Sequence, residues 1–193
     1  MSYIKKLMWL VAFLIVIPTQ VNADGGFNIS HLVQWKGTGV PVELPKGVGG
    51  KVVPAGTACY EVPMVIPQTG IRIGTGFDCI SNSGSLVDTG EGTVTTYYIF
   101  VFSGLGSIIS QNRVVVRNAA DNDAYNPVPT GEDPVNKDLT HILGSFPDDD
   151  TIVGGTKRFK KTEGKVRVSG GVSLANFPSE IVFDDLFVID LER

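Results

Sequence analysis

Apolar residues recur at every second position along most of this chain, the period of a strand with one buried face. From Gly92 to Phe102, Thr93, Thr95, Tyr97, Ile99 and Val101 fall on one side, and Val94, Thr96, Tyr98, Phe100 and Phe102 on the other. β-Branched and aromatic residues dominate both sides, which predicts a long strand. Ser103-Gly104-Leu105-Gly106 turns the chain, and Ser107 to Arg117 returns with Val114 and Val116 opposed to Arg113, Val115 and Arg117, making a long hairpin. Thr57 to Ile66 and Gly70 to Cys79 predict two earlier strands, followed by the turn cluster Ser81-Asn82-Ser83-Gly84. Further on, Ile152-Val153 runs into a corner at Gly154-Gly155, after which Val166, Val168 and Val172 alternate with Lys165, Arg167, Ser169 and Ser173. Asn176-Phe177-Pro178-Ser179 is a turn, and Glu180 to Leu191 predicts the last strand. On that strand Ile181, Phe183, Asp185, Phe187 and Ile189 share a face opposite Val182, Asp184, Leu186, Val188 and Asp190. Beyond the N-terminal apolar run no segment has a helical period, so the fold class is all-β and antiparallel.

Strands that are apolar on both faces need two buried sides. A barrel lumen supplies one, and an oligomer interface or a covering arm supplies the other. Lipid facing an outer-membrane barrel would do the same, but too few strands reach spanning length, Pro and charge interrupt several, and the chain ends Asp190-Leu191-Glu192-Arg193 without an aromatic. Residues 24–56 are rich in Gly, Pro and Val, and Pro41, Pro45 and Pro54 exclude a helix, which predicts an extended arm or short edge strands. Asn118 to Asp138 is a polar loop broken by Pro127, Pro129 and Pro134. The expected organisation is a signal peptide over 1–23, the arm over 24–56 and the barrel domain over 57–193.

The export reading rests on Lys5-Lys6, an apolar run from Leu7 to Ile17, Pro18, and Val21-Asn22-Ala23, with cleavage expected near Ala23. That run is about half of the ~20 residues a membrane span needs, so no stable membrane insertion is expected after cleavage and the mature protein is expected to be secreted or periplasmic. The full chain of 193 residues has a net charge of −4, and residues 1–23 carry two lysines and no acid, so the mature chain stands at about −6. An acidic chain without clustered cations is poorly suited to polyanions, and no nucleic acid partner is expected. Cys59 and Cys79 are the only cysteines, and in an oxidising compartment they are expected to form one disulfide.

Candidate chemistry is sparse. His31 and His141 stand apart with no spaced carboxylate or second His, and Asp121, Asp123 and Glu132 match a calcium loop poorly, since Tyr125 and Asn126 fall where a ligand and a Gly are needed. No metal and no cofactor is expected. Inside a barrel, the residues that orient a ligand are polar or aromatic side chains flanked by apolar neighbours, which nominates Glu61, Tyr97, Arg113 and Arg117. Two parities are open for the strand after Gly106: arginines in the lumen, or Val114 and Val116 inside with the arginines in solvent, the second being favoured. Tyr97 and Tyr98 face opposite ways, so one of them lines the interior.

The motif Gly154-Gly155-Thr156 with Phe159, the strand through Gly170-Gly171, the entry Gly90-Glu91-Gly92-Thr93 and Thr140-His141-Ile142-Leu143-Gly144 resemble the allene oxide cyclase and dirigent barrel families over residues 90–191. Lys157 stands where those families usually have Gly. The resemblance implies an eight-stranded closed barrel, often trimeric, whose lumen binds a small hydrophobic molecule and guides its cyclisation or coupling, with catalysis by shape and orientation; no catalytic residue carries over. The alternative is a lipocalin-like carrier or a structural secreted barrel without chemistry, although Gln34-Trp35-Lys36 lacks the Gly-x-Trp that lipocalins favour.

Overall fold

In the computed structural model, Ile29–Val42 (β1) pairs on one side with Ala58–Val65 (β2) and on the other with Ile181–Glu192 (β9), so the first and last strands close the sheet on itself. Between them run Arg72–Ser81 (β3), Gly92–Phe102 (β4), Gly106–Asn118 (β5), His141–Ser145 (β6) and Glu163–Ser173 (β8), each antiparallel to its neighbours. These eight strands make a closed antiparallel barrel. Ile152–Gly155 (β7) lies outside the ring and pairs with β5. A single helical turn and a half, Gly84–Thr89 (α1), joins β3 to β4. The structure describes residues 29–49, 51–89, 91–119 and 139–192; the expected signal peptide, the polar loop through Asp138 and its calcium-like spacing fall outside them.

The segment 24–56, expected as an arm, divides in two. Residues 29–42 form a full ring strand, so the barrel begins at Ile29 and not at Thr57. A bulge between Trp35 and Val40, spanning Gly37 and Gly39, breaks the alternation and hides this strand from a period-two reading. Residues 43–49 and 51–53 form the covering strap. Leu44, Val48, Val52 and Val53 lie against the outer faces of β2 to β5, where they bury Phe77, Ile99, Ile109, Tyr97 and the Cys59–Cys79 pair. This second core lets both faces of β4 be apolar and buried from Tyr97 to Phe100.

The lumen is set by parity. Val94, Tyr98 and Phe100 of β4, Ile108, Val114 and Val116 of β5, and Ile181, Phe183, Phe187 and Ile189 of β9 all point inward. At its centre Trp35 is fully buried, with ring centroids 4.5 Å from Phe187, 5.2 Å from Phe100 and 5.4 Å from Tyr98. Gly76 makes room for the indole: a Cβ there would overlap its five-membered ring. Carboxylates fasten the outer side of the same seam. Asp184 accepts from Gln34 Nε2 at 2.5 Å, and Asp190 accepts from Ser30 Oγ at 2.5 Å and Arg167 Nη2 at 2.7 Å.

Cys59 and Cys79 are direct cross-strand neighbours on β2 and β3 and are joined by the expected disulfide, with Cα atoms 4.0 Å apart. Two stability effects follow. Gly76→Ala forces the indole off its seat and should lower unfolding free energy by about 2 kcal/mol in denaturant titration, although alanine usually helps a strand. The double change Cys59→Ala and Cys79→Ala releases the covalent loop, of sequence separation 20. It should cost about 3 kcal/mol in the same assay, with the slope against denaturant showing how far the unfolded chain expands.

Candidate functional site

Trp35, Met64, Phe100, Phe187 and Ile108 pack one half of the lumen solid. The other half keeps a cavity of about 20 Å³, with Val94, Val114, Val116, Val172 and Ile181 as its wall and Leu86 of α1 and Leu174 of the β8–β9 turn also lining it. Its polar residues are Asp78, Thr96 and Tyr98. A space of that size holds about one water.

Asp78 sits on β3 in register with Tyr60 on β2 and Tyr98 on β4, and is only 6% exposed. Burial raises its carboxyl to about 7, against the opposing pull of the Thr96 hydroxyl, which donates to Asp78 Oδ1. Burial also raises both tyrosines, Tyr98 strongly, with the Asp78 charge adding to each and the Asp185 charge to Tyr98. Tyr60 spends its hydroxyl on Pro178 O at 2.9 Å, tying the β8–β9 turn to the barrel end.

Asp185 is the second buried acid, 1% exposed, in register with Trp35 on β1 and Gly170 on β8. Gly170 leaves it room, since a Cβ there would collide with the carboxyl. Burial, then the charges of Asp78 and Asp184, hold Asp185 well above the usual carboxylate range. Among the described residues, neither of its oxygens nor Trp35 Nε1 has a hydrogen-bond partner. Leaving such groups unmade costs folding free energy, and an acid kept at that cost is a candidate for function.

A different polar cluster shows the contrast. Asn112 Nδ2 donates to Val166 O at 2.7 Å and to Ser145 Oγ at 3.2 Å; Ser110 Oγ lies 2.5 Å from Asn112 Oδ1 and 2.9 Å from Thr151 Oγ1, which accepts from Val166 N–H at 2.8 Å. These groups bridge β5 to β8 where β6 stops and β7 has not begun. Every member is satisfied, and the cluster is a structural plug.

All four side chains nominated from sequence face away from the lumen. Glu61 alternates with the inward Tyr60 and Val62, and Arg113 and Arg117 stand exposed while Val114 and Val116 fill the interior. Tyr97 is buried, but beneath the strap, and Tyr98 is the tyrosine that lines the interior. Asp78, Thr96, Tyr98 and Asp185 take the place of the nominated set. A signal for Asp185 was present: an acid on one strand face with Ile181, Phe183, Phe187 and Ile189.

The buried acids make stability pH-dependent with a defined sign. Asp78 has a folded value near 7 against about 3.9 unfolded, so the folded chain is most favoured below the unfolded value and loses stability as pH rises towards 7. Asp185, raised in the same direction, adds a loss of the same sign. Asp78→Asn should therefore stabilise by about 4 kcal/mol at pH 8 and change little at pH 4, read from denaturant midpoints at both values.

No family model, no curated protein and no solved structure matches this chain.

Proposed function

We propose that this chain is an exported barrel of the allene oxide cyclase and dirigent kind that binds one small apolar molecule in the open half of its lumen. The observation that carries the reading is the cavity itself: apolar walls on every side and a single buried acid, Asp78, poised near neutrality beside Tyr98. An apolar molecule with one carbonyl or ether oxygen fits that chemistry, since the protonated carboxyl of Asp78 donates to the oxygen while the walls hold the hydrocarbon. An acid whose value lies near ambient pH is also suited to protonating that oxygen, and a molecule folded against rigid walls is held ready to cyclise. Leu86 and Leu174 at the cavity must move aside for anything larger than water to enter. The N-terminal apolar run supports export, the disulfide is compatible with it, and a trimer is the assembly the resemblance implies.

The solid packing around Trp35 favours a second reading, a structural barrel that binds nothing. One titration separates the two. Trp35 is the single tryptophan of the mature chain, and Tyr98 bridges it to the cavity. β-Ionone, an apolar ketone, should change its emission saturably, and Asp78→Leu, which has a similar volume and no donor, should weaken binding about tenfold. Val114→Phe, which fills the cavity, should abolish the response. An unsaturable signal that is the same in all three proteins leaves the structural barrel as the answer.

A further inference from the structure

The barrel end opposite the cavity carries a groove of about 380 Å³, large enough for an organic ligand as the structure stands. The strap frames it with Lys46, the ends of β3 and β4 with Thr75 and Phe102, the β4–β5 turn with Ser103, and the segment after β7 with Thr156 and Lys157. In a chain of net charge −4 its lining includes two lysines and no carboxylate. Neither lysine enters an ion pair among the described residues.

The hydroxyls add a donor. Ser107 N–H donates to Thr156 Oγ1 at 2.9 Å, and the two hydroxyl oxygens also lie 2.9 Å apart. Whichever hydroxyl donates to the other, one hydrogen of the pair is left for a third group. Gly106 has no room for a Cβ against the Thr156 carbonyl, so the start of β5 is seated directly on Thr156 and fixes the segment that carries Lys157. Lys157 itself has φ of 50°, a left-handed conformation in which glycine is relaxed and lysine is not. A strained residue that places a cation at a groove points from the backbone to a binding role.

We propose that this groove binds a phosphate monoester, with Lys46 and Lys157 flanking the dianion, the spare hydroxyl hydrogen of Ser107 and Thr156 donating to it, and Val101 and Phe102 accepting a compact apolar body. Lysine serves as a point charge in such sites, and a doubly charged group gains from two of them. The site is independent of the lumen, and its test does not touch the lumen residues. In the isotopically labelled mature protein, phenyl phosphate should shift the amides of Lys46, Val48, Ser103, Ser107 and Lys157 saturably, and uncharged benzyl alcohol should not. Lys157→Gly should weaken phenyl phosphate about tenfold while leaving the melting temperature equal or higher, and Lys46→Ala should weaken it similarly. Arg158→Ala, adjacent but outside the lining, should leave it within about twofold. Absence of saturable shifts at these amides, equal response to benzyl alcohol, or native affinity in both lysine variants would overturn the assignment.

Discussion

The seat of Trp35 on Gly76 is the contact around which this barrel closes. Trp35 lies on β1, in register with Met64 of β2 and Asp185 of β9, so one side chain spans the seam where the first and last strands meet. Loop-closure entropy opposes a pairing between the two ends of a chain, and the fastening must come from contacts made only once the ring is shut. The indole supplies them by reaching Tyr98, Phe100, Phe183 and Phe187 at once. Aromatic packing of this kind adds to plain area burial. The outer carboxylates Asp184 and Asp190 reinforce the seam but sit partly in water, where ion pairs contribute little.

Filling the middle with one large ring has a consequence for the rest of the lumen. The half occupied by Trp35 and its neighbours has no space left, and the residual cavity is displaced to the end bounded by α1 and the β8–β9 turn. Polar side chains in the interior then divide by whether they are satisfied. The Asn112 group replaces ladder bonds missing between β6 and β7, and its geometry is complete. Asp185 replaces nothing: it occupies a site that Gly170 vacates, with no donor among the described residues to meet it. Asp78 has one donor, Thr96, and borders open space. Uncompensated burial in one cluster and full compensation in the other argue that only the acids are held for a reason beyond folding.

The sequence made β2 to β5 and β7 to β9 legible because alternation there is regular and the turns carry Gly, Asn, Ser or Pro, whereas His141–Ser145 (β6) entered only as part of the family motif. It hid β1, where a bulge through Gly37 and Gly39 and the exposed Val40 break the pattern. It also hid which side of each strand was inside. Parity can be read from hydrophobicity only when one face is polar, and the strap makes both faces of β4 apolar, so Tyr97 looked as interior as Tyr98. On β5, where the outer face carries Gln111, Arg113 and Arg117, the inward set was readable. Asp78 could not be chosen without that parity, since Phe77 and Cys79 beside it are as buried as any lumen residue but face the strap.

The strap also changes what the two-sided strands mean. Lipid, a second protomer or a piece of the same chain could each cover the outside of β2 to β5. Leu44, Val48, Val52 and Val53 do so from within the chain, which removes that face as support for either a bilayer or a neighbour. Covering it requires the chain to cross from the end of β1 to the start of β2 by a long route, through the tight turns at Gly47 and Gly49, both at positive φ. That detour is what brings Lys46 across to the end of β4 and opposite Lys157. The groove is therefore a by-product of sealing the outer core: the same residues that exclude water from Ile99 and Tyr97 carry a cation to a place no ring strand could reach.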